Sequence, residues 1–412
     1  MEITDGECQS PRGPMSIELA ATPSHVPPEL VVDFDYRDFP GHDSDVHLAW
    51  KRLHEGPDLF WSPRHGGYWV ATRAEDIDVM QIDHERFSHR SITVPPEPGR
   101  APLAPLEYDP PRHGPLRSVL SPAFGPRPMQ ELDADLRQLS SELLDAIQLR
   151  GQCEFVDAYA KRLPIVTFLR LVDLPLDDRD ELLELTELSV RPKSQADQLR
   201  AFSGLQQYIG GWIAQRRTSP GKDLLSRMVN ARIGDRAIDE VELGGMMPNV
   251  IFGGLDTVAS ALSFTARCLA ENPGVRRRLI DDPKLIPTAI EEFLRRFGIP
   301  NTARVVTRDM DYKSVKFRAG DVVLLPKTLH GLDERRFPDP LEIDFGRVRR
   351  PHAAFGDGPH RCPGSFLARL EMRVFLEQWL ERIPDFRITP GERVRTSSGA
   401  VNGVLHLPLS WH

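Results

Sequence analysis

Apolar residues recur every three or four positions along most of the chain, the period of a helix with one buried face. That spacing predicts helices over 129–149, 178–190, 196–217, 238–272, 273–282, 286–297 and 364–382. Apolar runs of strand length are fewer, at 69–72, 305–307, 322–326, 386–388 and 404–409. HGGYWVAT reads as a hairpin near the start. VKFRAGDVVLLP reads as a second, turning at Ala319, Gly320 and Asp321. No βαβ alternation is present, which argues against a doubly wound sheet. The pattern predicts a mainly α fold with small β-sheets near both ends. One domain is expected over 29–412, after a loose, Pro-rich arm over 1–28.

Composition narrows the function. The chain has 412 residues, with 52 Lys and Arg against 60 Asp and Glu, a formal charge of -8. No block of like charge appears, so a nucleic-acid partner is not expected. No run approaches the roughly 20 apolar residues of a membrane span. The N-terminal MEITDGECQSPRGPMS is polar and acidic, unlike a signal peptide. A soluble, cytoplasmic protein is therefore expected. Cys8, Cys153, Cys268 and Cys362 lie far apart, which disfavours a disulfide framework or a CxxC motif.

The segment 238–272 is long and apolar, so it must be covered on all sides. Its centre, NVIFGGLDTVASAL, sets two glycines and an Asp-Thr pair in mid-helix. Each glycine costs about 1 kcal/mol against alanine. Asn249, Gly253 and Thr257 recur at helical spacing and share one face. Gly253 would let a flat group lie against the backbone. A Thr257 hydroxyl can bond the Gly253 carbonyl and bend the helix. A close helix–helix crossing needs the same small residues, and this segment alone leaves both readings open.

FGDGPHRCPG, residues 355–364, puts one thiol on a glycine-rich loop just before an amphipathic helix. The helix dipole and free N–H groups of Gly364 and Ser365 favour a thiolate at Cys362. Gly356 and Gly358 allow tight turns and the close approach of a large planar group. A nucleophile or a metal with one strong protein ligand would suit such a sulfur. The glycines favour the metal, and haem iron held by Cys thiolate is a known solution.

This loop resembles the haem-binding loop of the cytochrome P450 family, with Phe355, Gly358, Cys362 and Gly364 at its four fixed positions. Glu292 to Arg295 resembles the family's E-x-x-R helix. Gly253 to Thr257 is similar to its oxygen-activating helix, and His113 to Arg117 to its haem-contacting H-x-x-x-R segment. The resemblance covers roughly residues 25 to 412. GGLDTV, IPDF, GLDER and LRRF, with ELVVDFD and GVLHLPLSW, further resemble the bacterial camphor hydroxylase subfamily.

The resemblance implies a triangular, helix-rich P450 fold and haem b (iron protoporphyrin IX) with Cys362 as axial ligand. It implies Arg117, Arg304, His360 and His113 at the propionates and Gly253 against the macrocycle. Glu292 and Arg295 would pair with each other and with backbone near 345–350, a structural role. The implied reaction is monooxygenation, RH + O2 + two electrons + two protons to ROH + water. Asp256 and Thr257 would relay the protons, with an Arg or Lys partner expected for Asp256. The chain has no flavin or iron–sulfur motif, so a separate [2Fe-2S] ferredoxin and its reductase are implied. A basic face around Arg361, Arg369 and Arg112 would receive it, with Gly114 where the camphor enzymes carry a docking arginine. The substrate pocket by resemblance is Leu103, Val190, Asn249, Phe252, Gly253, Pro300, Ala400 and Val401. The ketone-anchoring tyrosine of those relatives has no counterpart, its place falling near Ala101. A small apolar substrate, a terpenoid or norisoprenoid, is expected, with Asn249 as its hydrogen-bond donor. A peroxide-driven peroxygenase and a haem sensor are the alternatives. A monomer is expected.

Overall fold

The computed structural model describes residues 19–97, 99–190, 195–347 and 351–412, and not the side chains of Ser189, Val190, Gln195, Gln198, Leu199, Phe202 and Phe252. The helices are α1 (Val46–Lys51), α2 (Ala74–Ile82), α3 (His113–Leu120), α4 (Pro126–Asp145) and α5 (Arg162–Val172). There follow α6 (Arg179–Val190), α7 (Gln195–Thr218), α8 (Leu224–Val229), α9 (Glu240–Glu271) and α10 (Pro273–Asp281). The last are α11 (Ile286–Arg296), α12 (Lys327–Gly331) and α13 (Ser365–Arg382). Each helix predicted from periodicity is present, displaced by a few residues at its ends. The sequence reading missed α5, RLPIVTFLRLV. Most of its residues are buried, so it shows no polar stripe to mark the period.

α9 runs through the middle of the molecule against α5, α6, α13 and the C-terminal strands. Its start is fixed by a capping box. The Asp239 carboxylate accepts from the Glu242 N–H (2.7 Å) and the Glu242 carboxylate from the Asp239 N–H (3.3 Å). Around it the core is aromatic. Trp379 of α13 packs between Phe155, Tyr159, Phe386 and Trp411.

The small sheets lie where expected, but one pairing differs. Leu59–Ser62 and Tyr68–Ala71 form the hairpin read from HGGYWVAT. Val315–Phe317 does not pair with Val322–Pro326. It pairs instead with Met310–Tyr312, turning at Lys313. Val322–Pro326 lies antiparallel to Asn301–Val306 and parallel to Tyr68–Ala71, in the centre of a five-stranded sheet. It is buried throughout, so both its edges need partners, and a two-stranded hairpin supplies only one. The predicted strand over 404–409 is two strands, Gly403–His406 and Pro408–Trp411, in different sheets.

The arm expected over 1–28 is docked from residue 19 onward. Ala20 donates to the Pro63 carbonyl (2.9 Å), His25 meets Asp321 (3.1 Å) and Val26 is buried. The rest of the arm lies outside the described residues. Among the described residues no helix is long and apolar enough to cross a membrane.

Candidate active site

One cavity lies between α9 above and the loop before α13 below. Cys362 is on its wall. The Cys362 N–H donates to the Phe355 carbonyl (2.8 Å), and the Gly364 N–H serves the sulfur. Gly356 and Gly358 take left-handed φ of 66° and 65°. A Cβ is strained there, and on Gly358 it would also come within 3.2 Å of Ile82. The expectation that the helix end alone makes a thiolate needs correction. Burial pushes the Cys362 thiol up, against the Gly364 N–H and the cations Arg117, Arg369 and Arg361. A metal coordinated to this sulfur would favour its ionised form.

One end of the cavity is built to take carboxylates. Arg304 is 5% exposed and donates only to the Ala303 carbonyl (2.7 Å), leaving its Nε buried without a partner. Burial lowers it to about 9. Arg117 donates to the Arg361 carbonyl. Both ring nitrogens of His360 are buried and unpartnered. The His360 ring stacks on His89 (centroids 3.5 Å apart, planes at 9°) and meets His113 at a tilt (4.0 Å, 37°). Burial holds His360 far below the usual imidazole range, with His89, His113 and Arg304 adding to the effect. Orphaned buried donors are costly unless a ligand meets them. Two carboxylates on a planar ligand fit this donor set.

The opposite wall is the mid-part of α9. Thr257 donates its hydroxyl to the Gly253 carbonyl (2.9 Å), as the sequence suggested. A Cβ on Gly253 would meet nothing within 4 Å, so the glycine opens onto free space instead of a neighbouring helix. No neighbouring helix therefore packs on Gly253, which counts against the close-crossing reading of this position. Pro248, one turn earlier, has no N–H to give the Gly244 carbonyl, which loosens the helix further. Asp256 is half-buried beside Thr257.

The expected substrate contacts are met only in part. Asn249 and Pro300 line the cavity. Leu103, Ala400 and Val401 do not. The Leu103 N–H donates to buried Glu107 (2.8 Å) within its own loop. Ala400 and Val401 are used in pairing with Asn301 and Pro300. The side chains of Val190 and Phe252 lie outside the described residues. Ile92, Leu106, Phe168, Leu171 and Thr302 stand in the wall where sequence reasoning named other residues. The Asn249 amide already donates to the Ala104 carbonyl (3.2 Å), so one N–H of it is committed to the Pro-rich loop.

Glu292 and Arg295 form a buried bidentate pair (2.8 Å twice). Arg295 also donates to the carbonyls of Gly331, Pro340 and Glu342. Glu292 accepts from the Asp344 N–H (3.0 Å) and Arg347 (3.2 Å). The tethered backbone runs over 331–344, and Arg347 adds a side-chain contact within the expected 345–350, of which 348–350 lie outside the described residues. Arg369, expected on an open basic face, is held by Glu291 (2.5 and 2.9 Å) and lies over the Phe355 ring. Three polar residues of the cavity region escaped the sequence reading: His89, Lys327 and Glu371. Each looks like an ordinary polar position in the sequence, and only the tertiary fold reveals that it is buried beside the site.

The cytochrome P450 family model matches residues 186–409. A probable cytochrome P450 127A1 from Sinorhizobium fredii (strain NBRC 101917 / NGR234) is 36% identical over 94% of this chain and 96% of the relative. Nocardicin C N-oxygenase from Nocardia uniformis subsp. tsuyamanensis is 32% identical over 92% and 99%. The crystal structure of CYP101J2 matches with a TM-score of 0.88 and 38% identity, over 96% of this chain and all (100%) of that one. CYP101C1 matches with 0.88 and 36%, over 95% and 100%. The cavity's thiol, its orphaned cations and these relatives agree, and the chain belongs to the cytochrome P450 family, monooxygenases whose cofactor is haem b.

Proposed function

We propose that this chain hydroxylates a small apolar molecule, a terpenoid or norisoprenoid, using O2 and electrons from a separate [2Fe-2S] ferredoxin and its reductase. The observation that carries the reading is one cavity with a cysteine sulfur on one wall and Gly253, Asn249 and Thr257 on the other. Haem, when bound, supplies the reductive activation of O2 and the transfer of one oxygen atom to a C–H bond. Cys362 would hold its iron through the sulfur. Arg117, Arg304 and His360 would hold its propionates, with His113 beside His360. Phe355, Gly358 and Gly364 shape the loop around the sulfur, and Gly253 leaves room for the ring. Glu292 and Arg295 anchor the backbone that supports the loop.

In this reading Thr257 Oγ1 lets go of the Gly253 carbonyl to hold a water in the cavity. Asp256 receives protons from the surface side and passes them to that water. The apolar wall of Ile92, Leu106, Phe168 and Leu171 excludes bulk water and positions the substrate. The uncommitted N–H of Asn249 takes a substrate carbonyl. Electrons arrive at the cysteine face. Arg361 is exposed there, and exposed Phe366 lies beside it. Arg112, 63% exposed, lies over the Tyr108 ring and 3.7 Å from Glu242, so it too is partly engaged. Because Arg369 is engaged by Glu291, the docking surface centres on Arg361. The reading includes a monomer acting in the cytoplasm beside these partners.

Two linked measurements test it. A terpenoid panel is titrated into the ferric protein, and a Soret shift marks displacement of water by a ligand. Turnover of the best ligand is then compared between the native chain and Thr257→Ala. Oxygen uptake should persist in T257A while product per electron falls roughly tenfold or more and peroxide appears. Full coupling in T257A, or native turnover with peroxide and no ferredoxin, contradicts the reading.

A further inference from the structure

Three cations face the cavity without an ion pair among the described residues: Arg117, Arg304 and Lys327. The proposed function uses two of them. Lys327 is the more unusual. It follows the buried strand Val322–Pro326 and is itself 4% exposed. Its Nζ donates to Gln81 Oε1 (2.9 Å), and its N–H to the Pro300 carbonyl (3.1 Å). Asp78 of α2 is the one acidic group acting on it; Arg304 on the neighbouring strand and His330 of α12 add no negative charge. Burial and Arg304 together pull the amine down to about 7. A buried ammonium with a single neutral partner costs several kcal/mol. An apolar side chain would end this strand without that cost.

Resting on the reading above, we propose that Lys327 is a further cofactor-binding residue, whose amine donates to a carboxylate at the haem edge beside Arg304. Lys327 then joins Arg117 and Arg304 as a third cation for the two propionates, the Cys362 thiolate being offset by the iron it would hold. Before loading, the amine can shed its proton and tolerate burial. Once a carboxylate is present, the charged form is favoured and the bond becomes a strong one. Neither the helix motifs nor the cysteine loop marks this position.

Full-length holoenzyme loaded with haem, or with haem dimethyl ester, is mixed with excess haem scavenger and the rate of cofactor loss is followed. Lys327→Met should release haem about ten- to a hundredfold faster than the native chain, the factor a charged hydrogen bond is worth. Lys327→Arg should restore retention. With the dimethyl ester, K327M and the native chain should release alike. Lys327→Gln serves if K327M folds poorly, as judged by thermal unfolding. Native-like haem retention in both K327M and K327Q overturns the proposal. Equal acceleration with haem and with its ester also overturns it, because the lysine would then only support the fold. Unchanged retention with lost binding of carboxylate-bearing, but not esterified, substrates assigns the amine to a substrate and overturns it too. Failure of the native chain to take up haem through a thiolate is seen before any variant is compared, and sinks the proposed function instead.

Discussion

Glu371 has nowhere to put a charge. It is 1% exposed on α13, and neither carboxylate oxygen has a hydrogen-bond partner. The Thr167 hydroxyl nearby is committed to the Leu163 carbonyl (2.7 Å). Burial raises this carboxyl from 4.5 to about 8. Its folded value lies above its unfolded one. Between those two pH values the folded chain therefore keeps a proton that the unfolded chain has released. Stability then falls as pH rises through that window, by up to about 1.4 kcal/mol per pH unit. Glu371→Gln should flatten this slope and be the more stable protein near pH 8, measured by urea unfolding midpoints across pH. Equal slopes in both proteins would show that the carboxyl finds a partner. Residues of this kind divide what is legible in a sequence from what is not. Cys362 announces itself because glycines at 356 and 358 have no other reason to cluster around a thiol. Glu371, Lys327 and His89 look like ordinary polar positions until helices and strands far apart in sequence enclose them.

Among the elements, α9 is the most informative. Gly244 and Gly245 are neighbours in it with opposite surroundings. A Cβ on Gly245 would stand 2.0 Å from the Pro102 carbonyl oxygen, whereas one on Gly244 meets nothing within 4 Å. The Pro-rich loop over the cavity lies directly on the α9 backbone at Gly245. Its position is fixed further by buried Glu107, whose two oxygens both accept from Arg100 Nη2 (2.8 and 2.9 Å) and one of which accepts the Leu103 N–H. Gly245→Ala should push this loop away, costing roughly 1–3 kcal/mol and speeding proteolysis within it. Gly244→Ala should stabilise by about 0.5–1 kcal/mol. Chemical unfolding of both variants checks the pair, and similar effects in the two would contradict it. Helix existence was readable from periodicity in the longer helices with one wet face, and not in the short α1, α2, α3, α8 and α12. It failed at α5, which is covered on nearly every side. Strand pairing was readable for the hairpin at Gly67. It failed at Val322–Pro326, because pairing in a sheet centre is set by strands distant in sequence.

At the scale of the whole molecule, the cavity gathers residues from α3, α5, α9, α11, α12, α13 and the five-stranded sheet. Motifs separated by up to 245 positions, Arg117 to Cys362, meet there because α9 and α13 pack together around it. The substrate wall was the least legible part. It comes from loop and helix faces whose register the sequence does not mark, and Leu103, Ala400 and Val401 fell on the wrong side of it. The cofactor end was the most legible, since charge and glycine placement carry it. Everything functional in this account requires the sulfur of Cys362 to ligate the iron as an anion. The direct measurement is the absorption spectrum of the haem-loaded, dithionite-reduced chain under carbon monoxide, with Cys362→Ala alongside. The native chain should give the strongly red-shifted Soret band of thiolate ligation, and C362A should lose it. A native band at the position of neutral-thiol or histidine ligation, or the same band in C362A, would contradict the account.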